Sequence, residues 1–229
     1  MTAVDFVLVH GTTQSPSCWD RVGHDLTRRG HRAMPVDLPV DQPDLLIDDY
    51  ARIAAGQVAD DVREPVVVAH SGGGLVASAL ARRLDAVHVV WLAAFVPDFA
   101  GGSSMLDQVR AEQDTMFGAE WPEWQSDDPT ESAYFLFHGC DLATLRWAVD
   151  TLRPWRPTAA YGEPAGPAPD MPSTYVLPLA DRTLTPSWMR SAAVDRLGVA
   201  PIEIDGDHCP HMARSALVAG LLAGFSRAA

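Results

Sequence analysis

Apolar residues along most of the chain fall into short β-rich runs that alternate with segments of helical periodicity. The runs predict six strands, at Val4–Val9, His31–Val36, Pro65–His70, Val87–Ala93, Thr174–Leu179 and Val199–Ile204. Helices are predicted at Trp19–Arg29, Leu45–Asp60, Gly74–Leu84, Pro186–Leu197 and Met212–Phe225. Continuous apolar strands that alternate with helices are typical of a parallel sheet covered on both faces. The pattern therefore predicts an α/β fold with about six parallel strands.

The stretch from about residue 97 to 172 breaks this alternation, because it carries no strand signal. Helical patterns occur at Met105–Gln113 and Leu142–Leu152, and the Pro-rich run Pro164–Pro172 leads back towards the sheet. A structureless connection of this length is unusual inside a compact domain. We therefore interpret the stretch as a helical lid insertion within a single domain that spans residues 1–229.

The composition excludes several classes of function. The chain has 17 basic and 30 acidic residues, a formal net charge of -13, and it contains no Lys. A protein this acidic repels a nucleic-acid backbone, and without Lys there is no Schiff-base or phosphate-loop lysine. No apolar stretch approaches the ~20 residues of a membrane-spanning helix. The expected partner is therefore a small-molecule substrate, with no nucleic acid and no membrane.

The cysteines and the first residues of the chain bear on its compartment. The three cysteines (Cys18, Cys140 and Cys209) are odd in number and widely spaced, which is typical of reduced thiols and not of a disulfide framework. The first residues lead directly into a strand without a basic leader. We therefore expect a cytoplasmic protein.

The residues after the third predicted strand are typical of a nucleophile elbow. Ser71 lies at a strand–turn–helix junction, with the small residues Ala69 and Gly73 two positions before and after it. The usual pattern has Gly at both positions, and Ala69 is a mild departure from it. The alternatives are a Gly-rich turn in which the Ser is incidental and a turn that binds a phosphate at a helix N-terminus. The presence of the other members of a triad favours the nucleophile.

A general base and an acid follow in the chain order Ser…Asp…His, as this kind of site requires. His208, on the loop after the last strand, is the preferred base, and His211 at the start of the next helix is the alternative. Asp181 directly follows the fifth strand and is the preferred acid. The other carboxylates considered are Asp98 after the fourth strand, and Asp205 and Asp207, which are close to the base in sequence.

Two backbone N–H groups are needed to stabilise the negative oxygen of a tetrahedral intermediate. One is expected from Gly72, the residue after the nucleophile. The other is expected from Thr12 on the loop after the first strand, where Gly11 lets the backbone turn. The histidines beside these groups, His10 and His70, are interpreted as buried structural residues.

Apolar and aromatic residues of the insertion predict a substrate pocket with a largely hydrophobic wall. The candidates for this wall are Met105, Trp121, Trp124, Phe137 and His138. Arg153 and Arg182 are the basic residues considered as binding partners for a substrate carboxylate. A neutral ester, lactone or thioester is the expected ligand.

Together these motifs resemble the plant esterase and hydroxynitrile lyase family and its bacterial esterase relatives, within the α/β-hydrolase superfamily. The matching segments are residues 6–11, 36–39, 69–73, 92–97, 137–141 and 206–208, with Trp19 and Asp181. The resemblance implies the α/β-hydrolase fold and acyl transfer through Ser71, with no cofactor and no metal.

Two positions separate hydrolases from lyases within this family. The lyases carry a Thr after the His of the oxyanion loop and a Lys after the catalytic His, whereas this chain has Gly11 and Cys209 there. Cyanide as a leaving group needs a nearby positive charge, which a neutral Cys does not supply. We therefore expect a carboxylic ester hydrolase that cleaves a small, largely hydrophobic ester or lactone through an acyl-enzyme.

Two alternatives to a hydrolase stay open at this point. One is a lyase or cyclase of natural-product metabolism on the same scaffold, and the other is a receptor-like protein that only binds its ligand, because fold and triad do not specify the reaction. Exposed apolar residues of the insertion would also provide a surface for a homodimer, although nothing in the sequence specifies one.

Overall fold

The computed structural model describes residues 3–121 and 128–225. The six strands of these residues form one sheet, and each pair of neighbouring strands is parallel. In chain order the strands are β1 (Asp5–Val9), β2 (Arg32–Val36), β3 (Val66–His70), β4 (His88–Leu92), β5 (Ser173–Pro178) and β6 (Ile202–Ile204). The predicted α/β class and all six predicted strands are confirmed.

Helices connect most of these strands. Those before the insertion are α1 (Asp20–Arg28), α2 (Ile47–Ala55) and α3 (Gly74–Arg83). Those between β4 and β5 are α4 (Met105–Met116), α5 (Pro129–Leu136), α6 (Leu142–Asp150) and α7 (Thr158–Tyr161). The last three are α8 (Pro186–Leu197), α9 (Pro210–Ala213) and α10 (Ser215–Ala223).

The helix predictions differ from the structure at three places. The helix predicted at Leu45–Asp60 is shorter and spans Ile47–Ala55. The single helix predicted at Met212–Phe225 is divided into α9 and α10, because the backbone of Arg214 leaves helical geometry (φ -135°, ψ 45°). In the insertion, the helices predicted at Met105–Gln113 and Leu142–Leu152 are present, whereas α5 and α7 were not predicted.

Each face of the sheet has its own apolar core. Successive side chains of a strand point to opposite faces, so Phe6 and Leu8 of β1 pack on the side of α1 and α10. The intervening Val7 and Val9 pack on the side of α2, α3 and α8. Because both faces are covered, strand residues such as those of β3 are buried throughout. Within the described ranges, no helix has the length and apolarity that crossing a membrane requires.

The strand order determines where a ligand can bind. The order β2-β1-β3-β4-β5-β6 means that the chain leaves β1 towards one side of the sheet and returns on the other side as β3. At such a switch point the loops diverge and leave a crevice outside the carboxyl ends of the strands. The loops that follow β1, β3, β5 and β6 all lie at this edge.

Backbone hydrogen bonds fasten the insertion to this edge on both sides of the crevice. On one side they reach the loop after β1, from Arg153 N to Thr13 O (2.9 Å) and from Ser15 N to Thr151 O (3.0 Å). On the other side they reach the loop after β5, joining Gly118 N to Thr183 O and Thr185 N to Met116 O, both at 2.9 Å. The insertion therefore lies over the carboxyl end of the sheet.

The close packing at the start of α3 predicts that adding a methyl group to Gly74 destabilises the fold. A Cβ on Gly74 would lie closer than 3.0 Å to the backbone oxygen of Phe95, so the helix and the segment after β4 would have to separate. We expect Gly74→Ala to lower the free energy of unfolding by about 2–3 kcal/mol, the cost of overpacking. Urea denaturation measures this change.

Gly23→Ala in α1 is the matched control. A Cβ at Gly23 would meet only the side chain of Ala33 at 3.6 Å, an ordinary contact. Because Ala is the better helix former, we expect this variant to be more stable than wild type by about 0.4–1 kcal/mol. Equal effects of the two substitutions would contradict the packing described for α3.

Candidate active site

Ser71 lies in the sharp turn between β3 and α3, as the sequence predicts. Its φ of 51° is in the left-handed region, which costs free energy for a residue other than Gly. The turn is held in place because the N–H of Phe95, after β4, donates to the carbonyl oxygen of Ser71 at 3.0 Å. This strained turn directs the hydroxyl towards the crevice, where Ser71 lines a cavity.

The glycines around Ser71 allow the loop after β1 to pack directly on the turn. A Cβ on Gly72 would collide with the side chain of Thr12, and one on Gly73 with the backbone oxygen of His10. In the opposite direction, a Cβ on Gly11 would lie 2.9 Å from the Cβ of Ser71. The two loops are therefore closer together than side chains would permit, and Thr12 is brought beside the nucleophile.

A chain of hydrogen bonds joins the three residues predicted as nucleophile, base and acid. The Nε2 of His208 lies 2.9 Å from the Oγ of Ser71, and its Nδ1 lies 2.7 Å from Oδ2 of Asp181. The side chains of His208 and Asp181 are 2% and 0% exposed. In this arrangement the carboxylate holds Nδ1 protonated and leaves Nε2 as the acceptor for the hydroxyl proton.

The backbone after β5 fixes the carboxylate of Asp181. Its Oδ1 accepts hydrogen bonds from the N–H groups of Thr183 (2.7 Å) and Leu184 (3.0 Å), which leaves Oδ2 for His208. Thr183 also accepts a bond from Gly118 of the insertion. The loop that holds the acid is therefore also hydrogen-bonded to the insertion.

The other carboxylates considered from the sequence have different partners. Asp207 is buried and accepts from the N–H groups of Gly139 (2.9 Å) and Cys209 (3.2 Å). Asp98 accepts from a turn N–H after β4 at 2.9 Å, and Asp205 is exposed. Among the residues that the structure describes, Asp181 is the carboxylate that pairs with His208.

The histidines His10, His70 and His211 lie near the three central residues and are buried. His10 donates from Nδ1 to the oxygen of Gly11 (2.8 Å) and accepts at Nε2 from the N–H of Leu38 (3.1 Å). His70 donates from Nε2 to the carbonyl oxygen of His208 (2.9 Å). Burial, followed by the neighbouring imidazoles, holds the pKa of His70 well below its usual range. His211 lies in α9 and is also fully buried.

A cavity of about 380 Å³ opens at the Oγ of Ser71. Thr12 and Gly72, the predicted oxyanion donors, line it beside Ser71 and His208. The wall of the cavity is mainly apolar and comes from the insertion and from the loops after β4 and β5. Its apolar residues are Phe95, Met105, Leu106, Val109, Met116, Phe117, Trp121, Leu136 and Leu184, with the ring of Tyr161.

Two of the five predicted wall residues, Met105 and Trp121, line this cavity, whereas two others do not. The prediction for Phe137 is wrong because its side chain is 1% exposed and packs into the core on the side of α1 and α10. The prediction for His138 is wrong because its Nε2 donates to the carbonyl oxygen of Ala180 (2.9 Å) outside the cavity. Trp124 lies outside the described residues.

The basic residues considered as carboxylate partners have other contacts. Arg182 lies over the ring of Tyr134, 4.5 Å from its centre, and Arg153 pairs with Asp37. Neither lines the cavity; the arginine that does is Arg156, which sequence reasoning missed. Leu184 was also missed, although its position three residues after Asp181 could have indicated it.

The comparison with known proteins agrees with this geometry. Residues 6–221 match the sequence profile of the Alpha/beta hydrolase family. Methylesterase 1 of Arabidopsis thaliana is 32% identical over an alignment of 149 residues that covers 57% of this chain and 55% of that protein. Methylesterase 7 of the same plant is 29% identical over the same length. The match therefore spans about half the length of these relatives, and the predicted resemblance to plant esterases is confirmed.

Solved structures support the same fold over nearly the whole chain. The structure of polyneuridine aldehyde esterase has a TM-score of 0.76 at 19% identity and covers 99% of this chain and 100% of that one. A pyrethroid hydrolase from Sphingobium faniae JZ-2 has a TM-score of 0.75 at 19% identity, with 98% and 97% covered. The six-stranded sheet, the site at its carboxyl edge and the match over residues 6–221 show that the chain belongs to the alpha/beta hydrolase family.

Proposed function

We propose that the protein is a carboxylic ester hydrolase with Ser71 as its nucleophile. The observation that carries this proposal is the chain of two hydrogen bonds from Asp181 through His208 to Ser71, which ends in an apolar cavity. The names of the relatives support it, because methylesterases, an esterase and a pyrethroid hydrolase are among the similar proteins.

The first half-reaction transfers the acyl group to the enzyme. The Oγ of Ser71 attacks the carbonyl carbon of the ester while the Nε2 of His208, 2.9 Å away, takes the hydroxyl proton. Negative charge then develops on the carbonyl oxygen, where the N–H groups of Gly72 and Thr12 would stabilise it. When the tetrahedral intermediate collapses, the imidazolium returns its proton to the departing alcohol oxygen.

The second half-reaction releases the acid. A water molecule attacks the acyl carbon while Nε2 of His208 accepts its proton, and the C–O bond to Ser71 breaks when the resulting tetrahedral intermediate collapses. That proton then restores the hydroxyl. Asp181 stabilises the imidazolium in both halves, and two backbone N–H groups keep its carboxylate in position.

The cavity favours a neutral, largely hydrophobic ester or lactone. Its wall is mainly aliphatic and aromatic, which strengthens binding of an apolar substrate. The net charge of -13 disfavours an anionic substrate at long range. Arg156 is the basic residue among those that line the cavity, and it is exposed at its edge.

Cyanohydrin cleavage is less compatible with the surroundings of His208. The next residue, Cys209, is fully buried, and burial followed by the charge of Asp207 raises the pKa of its thiol well above the usual range. The thiol is therefore neutral and supplies no positive charge for a cyanide leaving group. Hydrolysis needs no such charge.

We expect Ser71→Ala to lower kcat for p-nitrophenyl ester hydrolysis by at least about 10³-fold, because the variant lacks the hydroxyl that hydrogen-bonds to His208 and would form the acyl-enzyme. The measurement is steady-state hydrolysis of a panel of nitrophenyl esters and lactones. Ser187→Ala is the control: Ser187 is exposed on α8 and lies outside the cavity, so its loss should leave kcat unchanged. Ester turnover by Ser71→Ala at the wild-type rate would exclude the proposal, and absence of turnover in the wild type on every ester would favour the lyase or receptor alternative.

The role of Asp181 predicts a second, separable effect. Asn at this position keeps the shape but can donate to Nδ1 of His208, which stabilises the wrong tautomer, so we expect Asp181→Asn to lower kcat by about 10³- to 10⁴-fold. The control is Asp205→Asn, where the carboxylate is exposed. If both variants retain wild-type kcat, Asp181 is not the acid of the site.

The cavity wall predicts a change in selectivity. Val109 of α4 lines the cavity, and Val109→Trp would fill part of its volume. We expect kcat/KM for a bulky aromatic ester to fall by more than about tenfold, which corresponds to about 1.4 kcal/mol of lost transition-state binding. The value for p-nitrophenyl acetate should change by less than about threefold. Unchanged values for both esters would place the acyl and alcohol groups outside this cavity, and an equal loss for both would show that the variant does not select by substrate size.

A further inference from the structure

A cluster of side chains that could bind a metal ion lies next to His208, the general base of the site. His70, Cys209 and His211 each offer one metal-ligating atom, and these three atoms lie within 4.8 Å of one another. The Sγ of Cys209 is 3.9 Å from the Nε2 of His70, and the rings of His70 and His211 are 4.3 Å apart between centres. All three side chains are buried. The mechanism of ester hydrolysis uses none of them.

His211 is the member of the cluster whose polar atoms lack hydrogen-bond partners among the described residues. It is fully buried, yet among the described residues neither Nδ1 nor Nε2 has a hydrogen-bond partner. A neutral imidazole has one N–H donor and one nitrogen with a free lone pair, and here neither has a partner among the described residues. One nitrogen therefore presents an unused lone pair in the interior, which is unfavourable unless a ligand accepts it.

We propose that His70, Cys209 and His211 form a site for a thiophilic transition-metal ion such as Zn²⁺. Two imidazoles and one thiolate are the donor set that borderline and soft ions prefer, whereas Mg²⁺ and Ca²⁺ prefer oxygen. Ligand atoms within 4.8 Å of one another can reach Zn–N and Zn–S bond lengths of about 2.1 and 2.3 Å after small side-chain movements.

The protons and charges of binding balance within this site. The thiol of Cys209 loses its proton to solvent and forms the metal–sulfur bond, while the two imidazoles bind through neutral nitrogens. The Nε2 proton of His70 would move to Nδ1, which has no partner among the described residues. The ion and the thiolate leave one net positive charge. Asp207 compensates for it, since its Oδ1 accepts from the N–H of Cys209 at 3.2 Å.

Binding of an ion to this cluster would also affect Ser71, His208 and Asp181. His70 donates from Nε2 to the carbonyl oxygen of His208, and this bond is lost when the same nitrogen binds an ion. Cys209 directly follows the base in the chain. We therefore expect a loaded site to slow ester hydrolysis. This consequence rests on the proposed function, whereas the loading itself does not.

The test uses the whole chain after removal of metals with a chelator. Because the cluster is buried, one sample is incubated with Zn²⁺ while folded and another is refolded from urea with one equivalent of Zn²⁺. Native mass spectrometry counts the ions, and the melting temperature reports their binding to the folded chain. Co²⁺ serves as the spectroscopic probe, since a Co²⁺–thiolate bond absorbs in the near ultraviolet.

We expect one Zn²⁺ per chain in at least one of the two samples, a higher melting temperature and the thiolate absorption with Co²⁺. His211→Leu and Cys209→Ser should each weaken binding by at least about tenfold. His211→Leu replaces the unpartnered imidazole with an apolar side chain, so it should fold without metal and serves as the test if Cys209→Ser does not. Cys140→Ser removes a partly buried thiol outside the cluster and should bind Zn²⁺ as wild type does.

Three results would overturn the proposal outright, and a fourth would move the site to another residue. The three are the absence of a stoichiometric ion in both samples, wild-type loading of a folded His211→Leu variant, and equal binding of Mg²⁺. Loss of the ion in Cys140→Ser alone would assign the binding to that thiol instead. None of these results depends on ester hydrolysis, so a failure of the metal site and a failure of the proposed function are distinguishable.

Discussion

The site depends on the close approach of three backbone segments at the turn after β3. The turn packs against the loop after β1 at Gly72 and Gly73, and against the segment after β4 at Gly74, with distances that exclude a Cβ. This packing holds Ser71 at a positive φ that it would not adopt in a flexible chain. The nucleophile, the predicted oxyanion donors and helix α3 are therefore positioned by these two contacts of the turn.

The polar groups at this edge are arranged around the imidazole of His208. Asp181 orients its Nδ1, Ser71 lies at its Nε2, and His70 binds its backbone carbonyl. Asp207 joins the same loop to Gly139 of the insertion. Since burial removes competing water, each of these bonds is stronger than it would be at the surface, and an unpartnered group is correspondingly costly. His211 is such a group, which is why its surroundings suggest a ligand.

The fold and the three central residues of the site could be predicted from the sequence because the strands are parallel. Ser71, Asp181 and His208 each follow a strand, and the carboxyl ends of parallel strands meet at one edge, so their order along the chain was sufficient to bring them together. The cavity wall was less predictable because it depends on how helices of the insertion rotate. At the end of α5, both Leu136 and Phe137 pack into the core on the side of α1 and α10, yet of the two only Leu136 also lines the cavity. The periodicity of apolar residues in the sequence does not determine which way a side chain points at the end of a helix.

Covalent labelling of the nucleophile tests the central claim most directly. The wild-type protein and a His208→Gln variant are treated with a fluorophosphonate, and the adduct is located by peptide mass spectrometry. The geometry predicts one adduct, on Ser71, formed rapidly in wild type and slowly or not at all in the variant, because Nε2 must take the hydroxyl proton. An adduct on another residue, or equal labelling rates in the two proteins, would contradict the assignment of Ser71 and His208 as nucleophile and base.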